Sequence, residues 1–463
     1  VSLLGPVDAA GIAPLLGGLD YGEAFVEESQ SSSIRYEDSR VEDIVSSAEK
    51  GLAMRFLRKN IQGVETLLGS AQSTDAAAAA ALRRGLVGHA GLKASPTPLG
   101  AATGWKHPVR RDPGEVSLEE KISLLSSIDR DIRSGFPHIR QVSLSYAERR
   151  RDIVILNSEG AHCREERTTV LFAANVIAEK DGVLQTGSEV IGGLKGWELL
   201  EDTDPRLAAR GAAARALEKL EAPKAKAGEM PIVLSSSAGG TFIHEAIGHS
   251  LEVDHVQEGS SPHYIGKRGK QVAPENITVI DDPTLPFYRG SFHFDDEGIE
   301  AKPTALVKNG VLVDYLYDRV SALKEGRPSN GHGRRESFHY RPIPRMSNLY
   351  IAPGADDPRE ILKGLKAGIF VTRMGGGQVN TATGEFVFEV DEGFWVEDGK
   401  IKHLVRDANL LGIGPEILMS INKVGWDMGW GIGTCGKDGQ GVPVGDGQPT
   451  LGIPKILIGG RND

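Results

Sequence analysis

Thr241-Phe242-Ile243-His244-Glu245-Ala246-Ile247-Gly248-His249-Ser250 puts two imidazoles and a carboxylate inside an apolar run that reads as a buried helix. Imidazole suits a borderline-soft cation such as zinc, and a glutamate beside it is the usual partner for a metal-associated water. The spacing is His-Glu-x-x-x-His, one residue longer than the familiar zinc-peptidase pattern. Residues four apart in a regular α-helix differ by about 40° around the axis, whereas residues five apart differ by about 140°. A straight helix would turn His249 away from His244, so the stretch predicts a one-residue π-bulge, a distortion found mostly at functional sites. Gly248 is expected to ease that distortion. The plain alternative is a chance spacing within a core helix. Against it stand Ser235-Ser236-Ser237-Ala238-Gly239-Gly240, which reads as a turn leading into the helix, and the downstream groups Glu252, Asp254 and His255, which can orient ligand imidazoles.

The strand Pro231-Ile232-Val233-Leu234-Ser235 runs into this helix, and hairpin tips follow at Asn309-Gly310 and Asp398-Gly399. Many short, glycine-punctuated strands predict a large curved antiparallel sheet around the metal-binding helix, partly closed as a barrel. Glu221-Ala222-Pro223-Lys224-Ala225-Lys226-Ala227-Gly228-Glu229 reads as a linker, dividing the chain into an N-terminal domain, 1–225, and a catalytic domain, 226–463. In the first, residues 21–70 alternate as a meander of half-buried strands, Thr74 caps an alanine-rich helix to Leu86, and Gly91 to Asp112 is a loop. Ser117-Leu118-Glu119-Glu120 opens an amphipathic helix as a capping box. Strands are expected at 142–146, 153–156 and 169–172, a hairpin turn at Asp181-Gly182, and a helix from Arg206 to Leu220. The fold class is α+β in two domains, with an N-terminal antiparallel sheet carrying helices.

Composition sets the partner classes. The chain has 463 residues, 40% hydrophobic and 25% charged, which suits a protein with a sizeable core. A net charge of −10 without a long Lys/Arg run argues against a nucleic-acid partner. No apolar stretch reaches the length of a membrane span, and the start, Val1-Ser2-Leu3-Leu4-Gly5-Pro6, lacks a signal-peptide pattern. Only Cys163 and Cys435 are present, so a disulfide scaffold is excluded and a reduced, cytoplasmic setting is expected.

A catalytic zinc usually takes three protein ligands. His244 and His249 supply two, and the strongest third candidate is Cys435, in Gly431-Ile432-Gly433-Thr434-Cys435-Gly436-Lys437-Asp438-Gly439-Gln440. Glycines there would let backbone approach a metal or aim amides at a thiolate; the other reading is a free thiol in a loop. Cys163, in the polar run Ala161-His162-Cys163-Arg164, is read as structural or incidental.

His244-Glu245-x-x-x-His249 followed by Gly433-Thr434-Cys435 resembles the signature of the TldD/PmbA family of metallopeptidases. The TldD-type member is further matched by Phe294-Asp295-Asp296-Glu297-Gly298, Tyr317-Asp318-Arg319, Gly333-Arg334-Arg335-Glu336-Ser337 and Arg341-Pro342-Ile343-Pro344-Arg345-Met346. The resemblance is dense from about residue 230 to 463; before that it rests on the order of elements. It implies α+β subunits that pair as dimers enclosing the active site, so that short or unfolded peptides enter. The partner would be a PmbA (TldE)-like chain lacking the metal motif, or a second copy. With every motif residue kept, this chain resembles the catalytic subunit. The family's older name, modulator of DNA gyrase, is no evidence of DNA binding.

The expected chemistry is zinc-assisted peptide hydrolysis. Zn²⁺ held by His244, His249 and Cys435 would acidify a water and polarise the scissile carbonyl, with Glu245 as general base. Two competing readings are a non-catalytic, metal-bearing binding or regulatory subunit and a regulator acting on nucleic acid. Gly375-Gly376-Gly377-Gln378-Val379-Asn380 is either an edge to which an extended peptide adds as a strand or a plain turn. Arg334, Arg335, Glu336, Arg341 and Arg345 read as an ion-pair network in preference to a carboxylate-binding site.

Overall fold

A computed structural model of the chain describes residues 3–87 and 97–460. The alternation that begins at Tyr21 becomes a seven-stranded sheet. Tyr21–Glu37 lies at its centre, antiparallel to Arg40–Asn60 on one side and to Ile139–Asn157 on the other. Gly63–Ala71 extends one flank; His162–Lys180 and Val183–Gly193 extend the other. The turn at Asp181-Gly182 has positive φ at both residues, 52° and 79°, the twist a tight hairpin needs. The amphipathic helix Leu118–Gly135 is capped by Ser117, whose hydroxyl accepts from Glu120 N at 3.1 Å. With Pro205–Glu221 it covers one sheet face, burying Leu125, Ile128 and Ile132 against Val142, Phe172 and Ala212.

Three local expectations change. The alanine-rich helix is Ala76–Val87, and Asp75, not Thr74, caps it by accepting from Ala78 N at 2.7 Å. Of the loop from Gly91 to Asp112, residues 91–96 lie outside the described ones, and Thr103–Lys106 forms a strand parallel to His162–Lys180. The strands expected at 142–146 and 153–156 are one, Ile139–Asn157. The charged run between them stays in the ladder because Arg151 pairs with Glu27 at 2.6 Å and Arg164 with Asp152 at 2.8 Å.

In the C-terminal half, Gly228–Leu234, Leu451–Gly459, Asn409–Ile413, Glu385–Glu397 and Ala367–Val379 pair in succession, and the last pairs back to the first. The sheet therefore closes as a barrel, with residues 369–371 parallel to 232–234 where a purely antiparallel sheet was expected. A second, six-stranded sheet carries the hairpin Gly429–Lys437 and Gln440–Gln448 at one end. Hairpin tips stand at Asn309-Gly310 and Asp398-Gly399, both with positive φ. The segment around residue 225 is held in place: Ala225 N donates to Arg406 O at 2.9 Å and Arg406 N to Pro223 O at 3.0 Å.

The two halves meet through a buried charge cluster. Arg55 bonds Glu23 at 2.8 Å and Glu297 at 2.5 Å, and Arg335 bonds Glu23 at 2.5 Å. Breaking one member of such a set leaves a buried charge without its partner, so the cluster fixes how the halves fit.

Candidate metal centre

The stretch that opens the chemistry is not a regular helix. Thr241–Ile243 is α-helical, His244–Gly248 forms a π turn, and His249–Leu251 tightens into a 3₁₀ turn. His249 N–H donates to His244 O, the five-residue link of a π turn. The two rings come within 5.1 Å, centre to centre, at 89°. Gly248 has ordinary helical angles, φ −55° and ψ −54°, so it is not there for backbone freedom. A Cβ on it would stand 2.3 Å from Met346 Sδ and 2.7 Å from Leu349 Cδ2. The glycine makes room for the core against which the turn packs.

Cys435 lies on the strand Gly429–Lys437, not in a loop; the strand's first two glycines are packing positions, whereas a Cβ on Gly433 would meet only Val444 at 3.6 Å and one on Gly436 nothing within 4 Å. A Cβ on Gly429 would meet Ser236 O at 2.0 Å, and one on Gly431 would meet Asp446 Oδ1 at 2.3 Å. The turn that follows is Asp438-Gly439, with φ 50° and 71°. Cys435 Sγ reaches to 3.3 Å from His249 Nε2, and the ligand atoms of His244, His249 and Cys435 all lie within 4.8 Å of one another. His244 Nδ1 is buried without a hydrogen-bond partner. Two imidazoles and a thiol form a donor set that fits zinc, and the clustering allows one ion to meet all three.

Electrostatics agree with a cation at this point. Burial pushes the Cys435 thiol up, but hydrogen bonds and charge from His244 and His249 win and pull it down to about 5. Burial pushes the His249 imidazole down, and Glu252 and Cys435 overcome it and hold it well above its ordinary value. The thiol is thus biased towards its thiolate and the His249 imidazole towards its cation, the pairing of charge that a metal ion would replace.

Of Glu252, Asp254 and His255, only Glu252 touches a candidate ligand: its Oε2 lies 3.0 Å from His249 Nδ1. Asp254 instead meets Lys437 Nζ at 2.8 Å, and His255 Nε2 stands 3.7 Å from Glu252. Glu252 is fully buried, which pushes its carboxyl up; Lys437, at 3.1 Å, and His249 overcome that and hold it far below the carboxylate range. Arg345 braces the same point, with Nε 3.8 Å from Glu252 and Nη2 donating to Cys435 O. Lys437 and Arg345 were not read from the sequence as parts of this centre. The available signal was Lys437 two residues beyond Cys435, which on a strand means the same face.

Glu245 is half-buried and lines a cleft of about 580 Å³ with His244, His249, Cys435 and Asp446. Burial pushes its carboxyl up, towards holding a proton. Residues 375–379 line the same cleft. There Ala367–Val379 pairs with Glu385–Glu397, while its ladder to Gly228–Leu234 covers only 369–371, so one edge faces the cleft without a strand among the described residues. The arginine cluster divides. Arg335 pairs with Glu23, Arg341 with Asp438 at 3.0 Å, and Arg345 with Glu252, whereas Arg334, among the described residues, bonds the carbonyls of Met346 and Pro443 and no carboxylate.

The model of the PmbA/TldA metallopeptidase C-terminal domain matches residues 227–460, that of the central domain 111–220, and that of domain 1 22–85. A metalloprotease TldD homolog of Haemophilus influenzae is 34% identical over 456 residues, covering 96% of this chain and 94% of the relative. A metalloprotease of Methanothermobacter thermautotrophicus is 34% identical over 445 residues, 96% of each. Among solved structures, a protein of Thermotoga maritima described as a modulator of a DNA gyrase superposes with a TM-score of 0.77 at 21% identity, over 95% of this chain and 96% of that one. TldE from Thermococcus kodakarensis superposes with a TM-score of 0.72 at 18% identity, over 96% and 97%.

Proposed function

This chain belongs to the PmbA/TldD metallopeptidase family, and on that footing we propose that it is the metal-bearing, catalytic subunit of a zinc-dependent peptidase acting on short or unfolded peptides. The observation that carries the reading is the meeting of His244, His249 and Cys435 in a cleft that also holds Glu245.

His244, His249 and Cys435 would hold the ion. Zinc, when bound, supplies a Lewis acid that polarises a carbonyl and makes a water acidic near neutral pH. Glu245 takes the proton from the attacking water and returns it to the leaving amine; a carboxyl raised by burial is suited to both steps. Glu252, held ionised by Lys437 and Arg345, fixes the His249 ring through Nδ1, leaving Nε2 on the side of Cys435 where it would hold the ion. The open edge at residues 375–379 holds the peptide by backbone hydrogen bonds, as an added strand.

The cleft works in a dimer, with a TldE-like chain or a second copy enclosing it, as the resemblance of its motifs to the family implies. The setting is cytoplasmic, where a thiol ligand stays reduced. A domain boundary near residue 225 is supported by the central and C-terminal matches, which end and begin on either side of it. A net charge of −10 speaks against direct action on nucleic acid. The test is cleavage of a short fluorogenic peptide with and without a chelator. Activity that persists after complete metal removal would overturn the reading, and metal binding without any hydrolysis would favour a metal-bearing binding subunit instead.

A further inference from the structure

Thr434, next to Cys435, lines the metal cleft and also a second cavity, of about 500 Å³, between the hairpin Gly429–Lys437 / Gln440–Gln448 and the N-terminal sheet. Its wall is rich in arginine, and the arginines are under-supplied with counter-charge. Arg149 and Arg151 share one carboxylate, Glu27, at 3.6 and 2.6 Å. Arg289 and Arg334 have no carboxylate within 4 Å among the described residues: Arg289 donates to Gly433 O, and Arg334 to Met346 O and Pro443 O. Three acids stand on the wall: Glu148 is taken by Lys121 at 2.6 Å, Glu336 accepts from Gly441 N at 2.6 Å, and Asp296, 3.4 Å from Arg167 on the same wall, offsets only part of the arginine charge. Among the described residues, five guanidinium nitrogens of the lining arginines are buried with no hydrogen-bond partner: Arg151 Nη2, Arg167 Nε, Arg289 Nε, and Arg335 Nε and Nη1, although the Arg151 side chain is 10% exposed.

A buried guanidinium without an anion is costly, and a fold keeps one where something else supplies the anion. Burial drives the Arg334 guanidinium down to about 9 and Arg289 to about 10, the direction an uncompensated cation takes. The rest of the lining combines apolar residues, among them Leu171, Leu194, Val442 and Pro443, with serine and threonine hydroxyls such as those of Ser32 and Ser291. The site therefore suits a planar carboxylate carried on an apolar body.

We propose that this cavity is a second binding site, behind the strand that bears Cys435, which takes the free C-terminal carboxylate and last apolar side chain of a short peptide through Arg289, Arg334 and Arg151. The identification of the ligand as a peptide rests on the peptidase reading; the anion site itself rests on the arginines.

The test is calorimetric titration of the full protein with the tripeptide Ala-Leu-Leu, with its C-terminal amide, and with octanoate, each before and after metal removal by a chelator. Loss of one charge-assisted contact costs about tenfold or more in affinity. The free-acid peptide is expected to bind at least about tenfold more tightly than the amide, before and after chelation. Arg289→Gln should abolish that difference. Because Arg334 is only 3% exposed and its replacement can disturb folding, Ser32→Glu, which puts a negative charge on the half-buried wall, gives an independent second variant and should weaken the acid alone. Equal affinity for acid and amide, an unchanged Arg289→Gln, or binding lost on chelation would overturn the site. Octanoate binding more tightly than the tripeptide acid would overturn the peptide as its ligand. Hydrolysis, assayed separately, bears on the peptidase reading alone.

Discussion

Cys435 Sγ stands 3.3 Å from His249 Nε2 although 186 residues separate them, so the centre exists only when the π turn and the hairpin are both in place. Neither segment is a site by itself. The helix supplies two imidazoles on one side, and the hairpin closes the third.

Cys435→Ser replaces an ionised sulfur by a hydroxyl that does not ionise near neutral pH. Zinc content, measured by mass spectrometry of inorganic ions after dialysis, should fall to a small fraction of the wild type. Circular dichroism should be retained, since serine fits the same strand position. A variant that keeps full zinc would remove Cys435 from the ligand set.

Glu245→Gln keeps the shape of the side chain and removes its proton acceptor. Peptide hydrolysis should drop by about 10²–10⁴-fold, the usual contribution of a general base. Zinc content and the mass of the native assembly should not change, because neither needs that charge. Near wild-type turnover would rule the residue out as the base.

Glu252→Gln tests positioning. The variant still reaches His249 Nδ1 but takes from the buried Lys437 one of its two carboxylates, leaving Asp254 at 2.8 Å. Metal affinity, read by competition with a coloured chelator, should weaken about 10–100-fold. Adding Lys437→Met should recover thermal stability without recovering affinity. Recovery of both would mean that Glu252 acts only by balancing charge.

Glu297 gives a pH signature away from the metal. Burial pushes its carboxyl up to about 7, with Asp318 and Glu23 adding to the rise and Arg55 opposing it. An acid raised on folding holds its proton more tightly in the native state, so its stabilising contribution is complete below about pH 4.5 and is lost as pH rises through about 7. Glu297→Gln stays neutral throughout. Its melting temperature relative to the wild type should therefore improve between pH 5 and pH 8; a relative decline over that range would show the ionised Glu297 to be the favoured form.

What could be read from residues alone followed from how local the physics was. The five-residue interval between His244 and His249 demands an irregular turn wherever the chain goes, and the turn is there. Asp181-Gly182 and Asp398-Gly399 carry their turn type in their own dihedral preferences. The failures are tertiary. Arg149 and Arg151 look like a break in a strand until Glu27 on the neighbouring strand is known. The glycine-rich run before Cys435 looks like a loop until Ser236 and Asp446 are seen to press against Gly429 and Gly431. Arg345 could not be tied to the centre, because its link to it is a carbonyl and a carboxylate brought in from elsewhere in the chain.

The barrel is closed by Leu451–Gly459, which slots between Gly228–Leu234 and Asn409–Ile413. During synthesis the strand Gly228–Leu234 emerges long before this neighbour, and until then it presents an unpaired apolar edge. Pairings of such high contact order form slowly, and open edges invite association with other chains. The nascent polypeptide therefore passes through a prolonged, aggregation-prone stage that ends only with the arrival of its last barrel strand, and a chaperone that shields that edge would raise the yield of native protein more than added metal would.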